Sequence, residues 1–357
     1  MNNNPKVSVI VGCYNVAKWL KMGRLENIYN QTYTNWELIL VDDGSTDDTP
    51  MLVDAEAQND ARVKVIHKEN GGLGSARNAG IDNATGDYIC SFDVDDNVEP
   101  DMLEYCVQQM EEKGVDLLMF GFYAITPQLH LRENIQLQET LIHSQEELQQ
   151  YYLERILFVR HGNGFFSNKC YRRSFLEKHH LRFADQRIQQ DEYFNLKVYE
   201  HLEHCYISPR ILYHYYIYTS GNNRSRFIPN RMEIYKSIYK QFRFLQRKWR
   251  LEDSRFEEYL NRRIYGNLHD LLKFNLVHPN TSWTKEEQLA EINRVLSDED
   301  YSMAFEYALK QKKSLEDYLY LKAYQFRSIK MIRILNGVFK NLRKLKQWIK
   351  PSPYNKR

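Results

Sequence analysis

Cysteine is scarce in this chain of 357 residues, and the few cysteines show no pairing pattern. The five cysteines are Cys13, Cys90, Cys106, Cys170 and Cys205. Their number is odd, and no two of them form a C-x-x-C pair. Small secreted domains rely on paired cysteines, and zinc knuckles rely on closely spaced ones. The sequence therefore argues against both, and we expect a protein of the reducing cytosol.

Long apolar runs and a large net charge are also missing. No run approaches the roughly 18 to 20 apolar residues that a membrane-spanning helix needs, and no secretory signal follows Met1. The formal net charge is only +2, which argues against nucleic acid as a partner. Hydrophobic residues make up 43% of the chain, so a packed core is expected. These features predict a cytoplasmic globular protein.

The first 115 residues alternate between strand and helix patterns. Short β-branched runs predict strands at "KVSVIVGCYN", "WELILVDDGS", "RVKVIH" and "DYICSF". The intervening segments predict helices, including a single helical stretch from the first strand to about Gln31 and a Gly-rich loop that enters a helix at "GGLGSARNAGIDNAT". This alternation predicts an α/β fold with a Rossmann-like, mostly parallel sheet flanked by helices.

Polar residues follow three of these four strands. They are Tyr14 and Asn15 after the first strand, Asp42 and Asp43 at the end of the second, and the run from Asp93 to Asp96 after the fourth. Ligands of open α/β sheets bind beyond the carboxyl ends of the strands. We therefore expect these side chains to line one crevice.

The remainder of the chain is less regular. "NKCYRRSFLEKHHLRF" predicts a basic helix with Arg172 and Arg173 on its solvated face, and "YISPRILYHYYIY" predicts a strand pair or an extended edge. After about residue 228 the chain is helical and charged. We therefore predict two domains, 1–227 and a helical C-terminal region at 228–357.

The last predicted helix, 328–350, is basic and amphipathic. Its apolar stripe consists of Met331, Leu335, Val338, Leu342, Leu345 and Ile349. Such a helix can lie in a membrane interface, or it can pack its stripe against neighbouring helices, and the sequence leaves both alternatives open.

The acidic run after the fourth strand resembles a calcium loop only in part. Asp93, Asp95, Asn97 and Glu104 fall at positions one, three, five and twelve of the EF-hand pattern. Position six, which should be Gly, is Val98, and the preceding segment is a strand rather than a helix. The pattern therefore argues against an EF-hand.

A dinucleotide-binding loop is a second alternative. Gly72 and Gly74 begin a Gly-x-Gly pattern, but the sixth position of the motif, which should also be Gly, is Arg77. The loop also follows the third strand instead of the first. This partial match is weak evidence.

A divalent metal bound by one or two carboxylates and completed by phosphate oxygens accounts best for the acidic run, since Mg²⁺ and Mn²⁺ favour this arrangement. The alternative is a solvated acidic turn in which Glu99 and Asp101 cap the next helix.

Five separated blocks carry a resemblance to a known family. They are "VSVIVGCYN", "WELILVDDGSTDDT", "NGGLGSARNAGI", "GDYICSFDVDDNVEPDML" and "QQDEYFNL". In order and spacing they resemble the inverting glycosyltransferases of family 2, which have the GT-A fold, and in particular bacterial enzymes of capsule, exopolysaccharide and O-antigen synthesis. The resemblance covers roughly residues 5 to 225.

The resemblance implies a nucleotide-sugar site in residues 1–227. Its residues would be Tyr14, Asn15, Asp42, Arg77, Asn78 and Asp95 for the nucleotide sugar, and Asp93, Asp95 and Asp96 for a divalent metal, Mn²⁺ or Mg²⁺. Tyr14 would stack on the base, and Asp42 would accept a hydrogen bond from it. Arg77 would approach the ribose or diphosphate. The alternative for Arg77 is an ion pair with a strand-end carboxylate.

The resemblance also implies a general base at Asp191, which would deprotonate the acceptor hydroxyl. Gln190 stands where the family has an acid, and Glu192 is a possible substitute. The alternative is that Asp191 only caps its helix. Arg224 and Arg226, with His214 nearby, would belong to a polar loop beside the diphosphate.

The function implied is transfer of a sugar from a nucleoside-diphosphate sugar, a UDP-sugar in the first place, to a glycan or polyprenyl-diphosphate-linked acceptor in surface polysaccharide synthesis. The enzyme would work in the cytoplasm, at the inner face of the membrane if the C-terminal helix binds there. The alternative is an inactive scaffold that binds the nucleotide sugar within an assembly complex.

Overall fold

The computed structural model describes residues 4–159, 164–218, 227–312 and 314–349, with the side chains of the last helix described through residue 342. The chain divides into two compact units. The first comprises Met1–Gly221 and Gln241–Arg250, and the second comprises Asn222–Lys240 and Leu251–Arg357. Residues 241–250 thus belong to the first unit, although they lie beyond the predicted domain boundary at 227.

A single mixed sheet forms the centre of the first unit. In the described residues its strands are β1 (Val7–Cys13), β2 (Trp36–Asp42), β3 (Val63–His67), β4 (Tyr88–Ser91), β5 (Asn97–Val98), β6 (Leu117–Thr126), β7 (Leu131–Ile135), β8 (Thr140–Ile142), β9 (Lys169–Arg172) and β10 (Cys205–Tyr216). Their order is β3-β2-β1-β4-β9-β6-β10-β5, with β7 beside β6 and β8 beside β10.

The predicted α/β class is confirmed, and the sheet is parallel in its N-terminal part. β3, β2, β1 and β4 are parallel neighbours, and β6 is parallel to β10. β9 lies antiparallel to both β4 and β6. The register pairs Cys13 with Asp42, so β1 and β2 end at the same edge of the sheet. This register brings the polar residues that follow the two strands together.

Helices cover the sheet, which explains why β1 and β2 are buried along almost their whole length. The helices of the first unit are α1 (Ala17–Lys21), α2 (Glu26–Tyr29), α3 (Thr49–Asn59), α4 (Leu73–Asn83), α5 (Met102–Lys113), α6 (Gln145–Tyr151), α7 (Arg173–Lys178) and α8 (Gln190–His201). A π-helical segment, Tyr152–Leu157, continues α6. Close packing of α4 on β1 requires Gly80, because a Cβ there would lie 2.4 Å from Ile10 Cγ2.

The segment after β1 differs from the single helix expected to Gln31. It forms two short helices, α1 and α2, which are separated by a turn at Gly23. Gly23 has a φ of 71°, a left-handed conformation that interrupts a right-handed helix and suits glycine.

The basic helix predicted at "NKCYRRSFLEKHHLRF" is wrong in its first part. Lys169–Arg172 is strand β9, and only Arg173–Lys178 is helical. Arg172 and Arg173 are not on a solvated helix face, because Arg172 Nε donates to the Val115 carbonyl at 3.2 Å and Arg173 Nε donates to the Gly86 carbonyl at 2.5 Å. Long-range pairing with β4 and β6 decides this strand.

The segment predicted as a strand pair or an edge is one continuous strand, β10, in the interior of the sheet. Its register against β6 shifts between Ile207 and Ile211 and again before Tyr213. Such irregularities bend a strand. The correction matters for function because the end of β10 reaches the acidic run.

The second unit is helical in its described part. Its helices are α9 (Arg231–Trp249, whose last turns belong to the first unit), α10 (Ser254–Asp270), α11 (Lys285–Ser297), α12 (Glu299–Lys310), α13 (Leu315–Gln325) and α14 (Ile329–Ile349). Within the described residues, none of the helices has both the length and the apolar character required to cross a bilayer.

Helix α14 buries only part of the predicted apolar stripe. Of the predicted stripe, Leu335 is buried and Met331 is half-buried. Ile332, which the prediction did not include, is also buried, and the Asn336 side chain donates to the Lys273 carbonyl at 2.8 Å. Val338 and Leu342 are exposed by 45% and 46%. The beginning of the helix therefore packs within the second unit and leaves a further apolar face uncovered. The side chains of Leu345 and Ile349 lie outside the described residues.

Candidate active site

The acidic loop Asp93–Asp96 connects β4 to β5, and β10 fixes its position. Asp96 is buried, and both of its carboxylate oxygens accept hydrogen bonds. The Tyr213 hydroxyl donates to Asp96 Oδ2 at 2.8 Å, and the Tyr216 N–H donates to Oδ1 at 2.8 Å. The Tyr213 oxygen also accepts from the Asp93 N–H at 3.2 Å. Two tyrosines of β10 therefore fix the conformation of the acidic loop.

Burial makes the ionised form of the acidic loop costly. Desolvation raises the pKa of Asp93, Asp95 and Asp96, and repulsion from neighbouring carboxylates raises each pKa further. The pKa of Asp96 is raised well above its ordinary value. A cation beside the loop would oppose all three shifts. The loop is therefore electrostatically suited to a positive ligand.

The residues of the acidic loop fit a divalent metal in one specific way. Asp96 and Asp93 already accept hydrogen bonds, the latter from Arg77 Nη2 at 3.1 and 3.4 Å. In the described part of the chain, no other residue donates a hydrogen bond to the Asp95 carboxylate. In the same described residues, no group of three Asp, Glu or His side chains has its ligand atoms within 4.8 Å of one another. The loop thus offers one or two carboxylates, as Mg²⁺ and Mn²⁺ sites completed by phosphates do.

Arg77 on α4 joins the acidic loop to Asp191. Its Nη1 donates to Asp191 Oδ1 at 2.5 Å, and its Nη2 donates to Asp93 Oδ1 at 3.1 Å. The side chain is 1% exposed and lies near the rings of Phe166 and Phe183. Desolvation opposes the charged form, but the attraction of Asp191 and Asp93 outweighs it and raises the pKa of Arg77. The guanidinium is therefore a buried, permanently charged group that connects two carboxylates. This agrees with the alternative in which Arg77 forms an ion pair with a strand-end carboxylate.

Asp191 lies in the first turn of α8, but it does not cap the helix. The residue that precedes α8 is Gln189, in a left-handed conformation with a φ of 54°, and Asp191 is the second helical residue. Its Oδ2 accepts from the Phe166 N–H at 3.2 Å while Oδ1 accepts from Arg77. The carboxylate is 23% exposed. It is therefore oriented by two donors and still reaches solvent.

A buried polar network supports the Phe166 N–H. Lys169 is fully buried, and its Nζ donates to the Phe165 carbonyl at 2.5 Å and to Asn168 Oδ1 at 2.9 Å. From α8, Asn195 Nδ2 donates to the same Phe165 carbonyl at 3.1 Å. Desolvation lowers the pKa of Lys169 to about 7, although Asp191 and Cys205 favour the charged form. The network positions the backbone that contacts Asp191.

At the end of β1, Tyr14 and Asn15 differ in their surroundings. Tyr14 is 47% exposed, so its ring is accessible to a ligand. Asn15 adopts a φ of 53°, and its Oδ1 accepts from the Thr46 N–H at 2.8 Å. Its own N–H donates to Ser45 Oγ at 3.0 Å. Asn15 thus joins the β1 end to the loop after β2.

Asp42 is buried, and other residues of the protein contact both of its carboxylate oxygens. Oδ1 accepts from the Ser45 N–H at 3.0 Å, and Oδ2 lies 2.9 Å from His67 Nδ1. Desolvation raises the pKa of Asp42, but these two partners outweigh it, and the pKa is lowered. Asp42 is therefore ionised, and a nucleotide base would have to share oxygens that Ser45 and His67 already contact.

The neighbouring Asp43 organises the Gly-rich loop before α4. Its carboxylate accepts from the Lys68 Nζ at 2.8 Å and from the N–H groups of Gly71 and Gly72 at 2.9 and 2.7 Å. Gly72 itself has a φ of 88°, which only glycine adopts without strain. Asp43 therefore fixes the start of the helix that carries Arg77.

Asn78 makes a reciprocal pair of hydrogen bonds with the Phe183 backbone, donating at 2.9 Å and accepting at 2.8 Å. A contact of Asn78 with ribose would require that this pair open.

The other predicted contacts are distributed as follows. His214 on β10 lies 2.7 Å from Glu99 Oε1, and Asp101 forms an ion pair with Arg210. Asp101 is the residue before α5, but its side chain makes no capping hydrogen bond. Arg224 and Arg226 lie outside the described residues. The acidic residues after the loop therefore bind side chains of β10, which differs from the helix-capping alternative.

All five cysteines are free and buried. The sulfurs of Cys90 on β4, Cys106 on α5 and Cys170 on β9 lie within 4.8 Å of one another. Strand pairing brings Cys90 opposite Cys170. No sequence spacing indicates this cluster, because the three residues come from separate elements.

Reasoning from the sequence missed several residues of the site. Tyr213, Tyr216 and Lys169 were not singled out, nor was Arg24, whose Nη1 donates to Asn97 Oδ1 at 2.6 Å beside the acidic loop. The alternating tyrosines of "YHYYIY" were the available signal for the first two. Nothing local marked Lys169 or Arg24.

Comparison with known proteins identifies the family. A sequence profile described as "Glycosyl transferase family 2" matches residues 8–179. EpsH of Bacillus subtilis strain 168, which carries the name of a glycosyltransferase, is 33% identical over 261 residues that cover 71% of this chain and 73% of EpsH. The chondroitin synthase of Escherichia coli is 38% identical over 108 residues, which cover 30% of this chain and 16% of that enzyme.

Solved structures share the fold. The crystal structure of residues 1–349 of S. aureus TarS in complex with UDP-GlcNAc matches with a TM-score of 0.59 and 20% identity, covering 94% of this chain and 92% of that one. The fold is thus that of the GT-A glycosyltransferases, with additional C-terminal helices. Together with the similarity to EpsH along most of both chains, these matches establish that this chain belongs to glycosyltransferase family 2 and is a transferase enzyme.

Proposed function

We propose that this enzyme moves a sugar, with inversion, from a UDP-sugar to a hydroxyl of a glycan or polyprenyl-diphosphate-linked acceptor in bacterial surface polysaccharide synthesis. One observation carries the proposal: the buried Arg77 guanidinium contacts both Asp191 and Asp93. A carboxylate that can deprotonate an acceptor is thereby fixed beside the loop suited to a departing diphosphate. The UDP-GlcNAc bound to TarS and the polysaccharide made by chondroitin synthase support the substrate class.

Asp191 is the general base of this proposal. Its carboxylate accepts hydrogen bonds from Arg77 and from the Phe166 N–H, and a carboxylate can take up the proton of an acceptor hydroxyl. The two donors fix its orientation, so the acceptor hydroxyl meets an oxygen atom in a defined position. Inversion requires that this base lie on the side of the sugar opposite the diphosphate. Asp191 and the acidic loop contact different nitrogens of Arg77, and the proposal places the sugar between them.

The nucleotide would bind at the ends of β1 and β2. Tyr14 offers an exposed ring for stacking on the base, and Asp42 offers a buried acceptor that His67 and Ser45 keep ionised. Asn15, Arg77 and Asn78 would act indirectly, because hydrogen bonds within the protein already engage their side chains. Arg77 would then position Asp191 rather than contact ribose.

Asp95 would bind the divalent metal, with Asp93 or Asp96 as a second ligand. When bound, Mn²⁺ or Mg²⁺ stabilises negative charge on the diphosphate. The surrounding residues exclude water from Asp96, which is 1% exposed and accepts a hydrogen bond from the Tyr213 hydroxyl. When no metal is bound, the Tyr213 hydroxyl and the Tyr216 N–H stabilise the Asp96 carboxylate by donating hydrogen bonds to it.

An inactive scaffold that binds the nucleotide sugar is the second candidate. Two observations favour it: the family's acid is Gln190 in this chain, and both oxygens of Asp191 already accept hydrogen bonds from the protein, with which an acceptor hydroxyl would have to compete.

Domain roles and location are part of the same proposal. We assign residues 1–227 to donor binding and catalysis and the helical region 228–357 to the acceptor or the membrane. The exposed apolar face of α14 supports work at the cytoplasmic side of the membrane.

Release of UDP and anomeric configuration of the product test the proposal. Wild-type enzyme with Mn²⁺ and a panel of UDP-sugars should release UDP, and NMR should show an inverted anomeric centre. Asp191→Asn should bind UDP like the wild type and lose about 100-fold or more of the rate, while Asp82→Asn, at an exposed aspartate of α4, serves as the control. Equal, background rates for wild type and Asp191→Asn with intact binding would support the scaffold instead.

A further inference from the structure

Arg24, in the turn between α1 and α2, is a half-buried cation without an acidic partner. Its Nη1 donates to the neutral amide oxygen of Asn97 at 2.6 Å. Among the residues that the structure describes, no carboxylate forms an ion pair with it. By contrast, Arg62 lies 3.6 Å from the Trp36 ring centroid and is paired with Asp60 at 2.7 Å.

Aromatic rings and amides fix the orientation of Arg24. Its guanidinium carbon lies 5.6 Å from the Trp19 ring centroid and 5.7 Å from that of Tyr216. Asn97 is itself fixed, because its Nδ2 donates to the Tyr216 hydroxyl at 3.3 Å and its Oδ1 also accepts from Asn27 Nδ2 at 3.3 Å. The guanidinium is therefore pre-oriented, and within the described parts of the chain its one hydrogen-bond acceptor is Asn97 Oδ1.

The position of Arg24 connects it to the acidic loop. Asn97 begins β5, two residues after Asp95. The Arg24 guanidinium therefore contacts the residue that directly follows the acidic loop, two positions from the carboxylate that is proposed to bind the metal.

A cavity lies beside Arg24. Its volume is about 380 Å³, and Arg24, Glu26, Asn27, Asn30, Val98 and Pro100 are among its lining residues. This volume is within the range of small-ligand sites, which starts at about 300 Å³. The lining is partly polar and includes the same Asn27 that contacts Asn97. Glu26 adds a negative charge to this lining, but its side chain is exposed to solvent, whereas the half-buried Arg24 supplies the positive charge that an anion needs.

We propose that Arg24, fixed between Trp19 and Tyr216 and oriented by Asn97, forms a phosphate-binding subsite next to Asp95. A planar guanidinium binds phosphate through two parallel N–H donors, which a neutral or carboxylate-paired residue cannot do. The phosphate comes from the donor's diphosphate or from a phosphate of the acceptor, and the chemistry is the same for both. The inference rests on the proposed function, because it assumes a diphosphate at the acidic loop.

Calorimetric titration of the full chain tests the subsite with UDP, uridine and inorganic pyrophosphate, each in the presence of Mn²⁺. Arg24→Gln should weaken UDP binding by about 10-fold or more and leave uridine binding unchanged. The UDP affinity of Arg24→Lys should lie between those of the wild type and Arg24→Gln. Arg62→Gln is the matched control. If the phosphate belongs to the acceptor, Arg24→Gln should bind UDP like the wild type. The loss of affinity should then appear only when pyrophosphate is titrated into UDP-saturated protein.

A second variant tests the subsite even if Arg24→Gln fails to fold. Asn97→Asp supplies Arg24 with a carboxylate partner, so it should weaken phosphate binding while the arginine is still present. Thermal melting would report the folding of each variant. UDP and pyrophosphate binding that are unchanged in Arg24→Gln and in Asn97→Asp would overturn the subsite. Failure of the wild type to bind UDP would instead contradict the proposed function.

Discussion

Arg77 and Asp191 are 114 positions apart in the chain, yet the guanidinium Nη1 lies 2.5 Å from the carboxylate Oδ1. The same side chain contacts Asp93 through Nη2, so one buried cation neutralises two carboxylates of different elements. Removing one member of such a group leaves an uncompensated buried charge. The geometry therefore makes the general base and the acidic loop depend on each other.

We expect Arg77→Met to destabilise the protein by about 3 to 5 kcal/mol, because it leaves Asp93 and Asp191 without their cation. Arg77→Lys should retain most of the stability, but a single ammonium cannot contact both carboxylates in the same geometry. Denaturant unfolding measures the stability, and the transfer rate measures alignment of the base. Arg62→Met, at an exposed pair, is the control. Equal stability of Arg77→Met and wild type would contradict the bridging role.

Asp95→Asn should abolish the dependence of UDP binding on Mn²⁺ more completely than Asp93→Asn does. The reason is that Asp95 is the carboxylate to which no other described residue donates a hydrogen bond, whereas Asp93 is already paired with Arg77. Titrating UDP with Mn²⁺ and with EDTA gives the measurement. An equal effect of EDTA on wild type and Asp95→Asn would show that Asp95 does not bind the metal.

Glu37 should make the stability of the sheet depend on acid pH. It is buried on β2, where it accepts hydrogen bonds from Ser8, Lys6 and Thr85. Desolvation raises its pKa, but these partners and Lys64 outweigh it, and the pKa is lowered in the folded state. Its contribution is present above the unfolded pKa of about 4.3 and is lost as pH falls below it.

Glu37→Gln should therefore lower the melting temperature at pH 7 and flatten its decline below pH 4. A cost of about 3 kcal/mol is expected from breaking a buried charged group. Glu104→Gln, on the surface of α5, is the control. Parallel melting curves for wild type and Glu37→Gln across this pH range would argue against the assignment.

The five thiols should be unreactive in the native protein. All are buried by 99% or more, and burial, with a smaller contribution from Asp42, raises the pKa of Cys13 to about 12. Reaction needs an exposed thiolate. A thiol reagent should modify no cysteine under native conditions and all five in denaturant. Rapid native modification of Cys90 or Cys170 would show that the sheet opens locally near the acidic loop.

Ile334, Val338 and Leu342 are spaced by four residues and are exposed by 54%, 45% and 46%. They form one apolar face of a helix that also carries Lys330, Arg333 and Lys340. If this face contacts anionic membranes, replacing all three by Gln should reduce co-sedimentation with phosphatidylglycerol vesicles severalfold. Leu315→Gln, at another exposed leucine, is the control. Equal sedimentation of all variants would remove the membrane proposal.

The sequence alone determined the elements whose signals are local. Runs such as "VSVIVGC" and "WELILVD" predicted β1 and β2, because an apolar β-branched run is buried wherever the sheet is covered by helices. The acidic loop was found from residues 93–96 themselves, and the family resemblance followed from five short blocks in order. The proposed base Asp191 came from one of those blocks.

Only the tertiary structure decided how these parts meet. Lys169–Arg172 is a strand because β4 and β6 provide backbone partners on both sides, although the neighbouring basic sequence favours a helix. Tyr213 donates to Asp96 from 117 positions away in the chain, and Arg77 contacts Asp191 and Asp93 on two other elements. Buried polar groups take whatever partner the fold brings within hydrogen-bonding distance. That partner depends on strand order and register, which no local pattern contains.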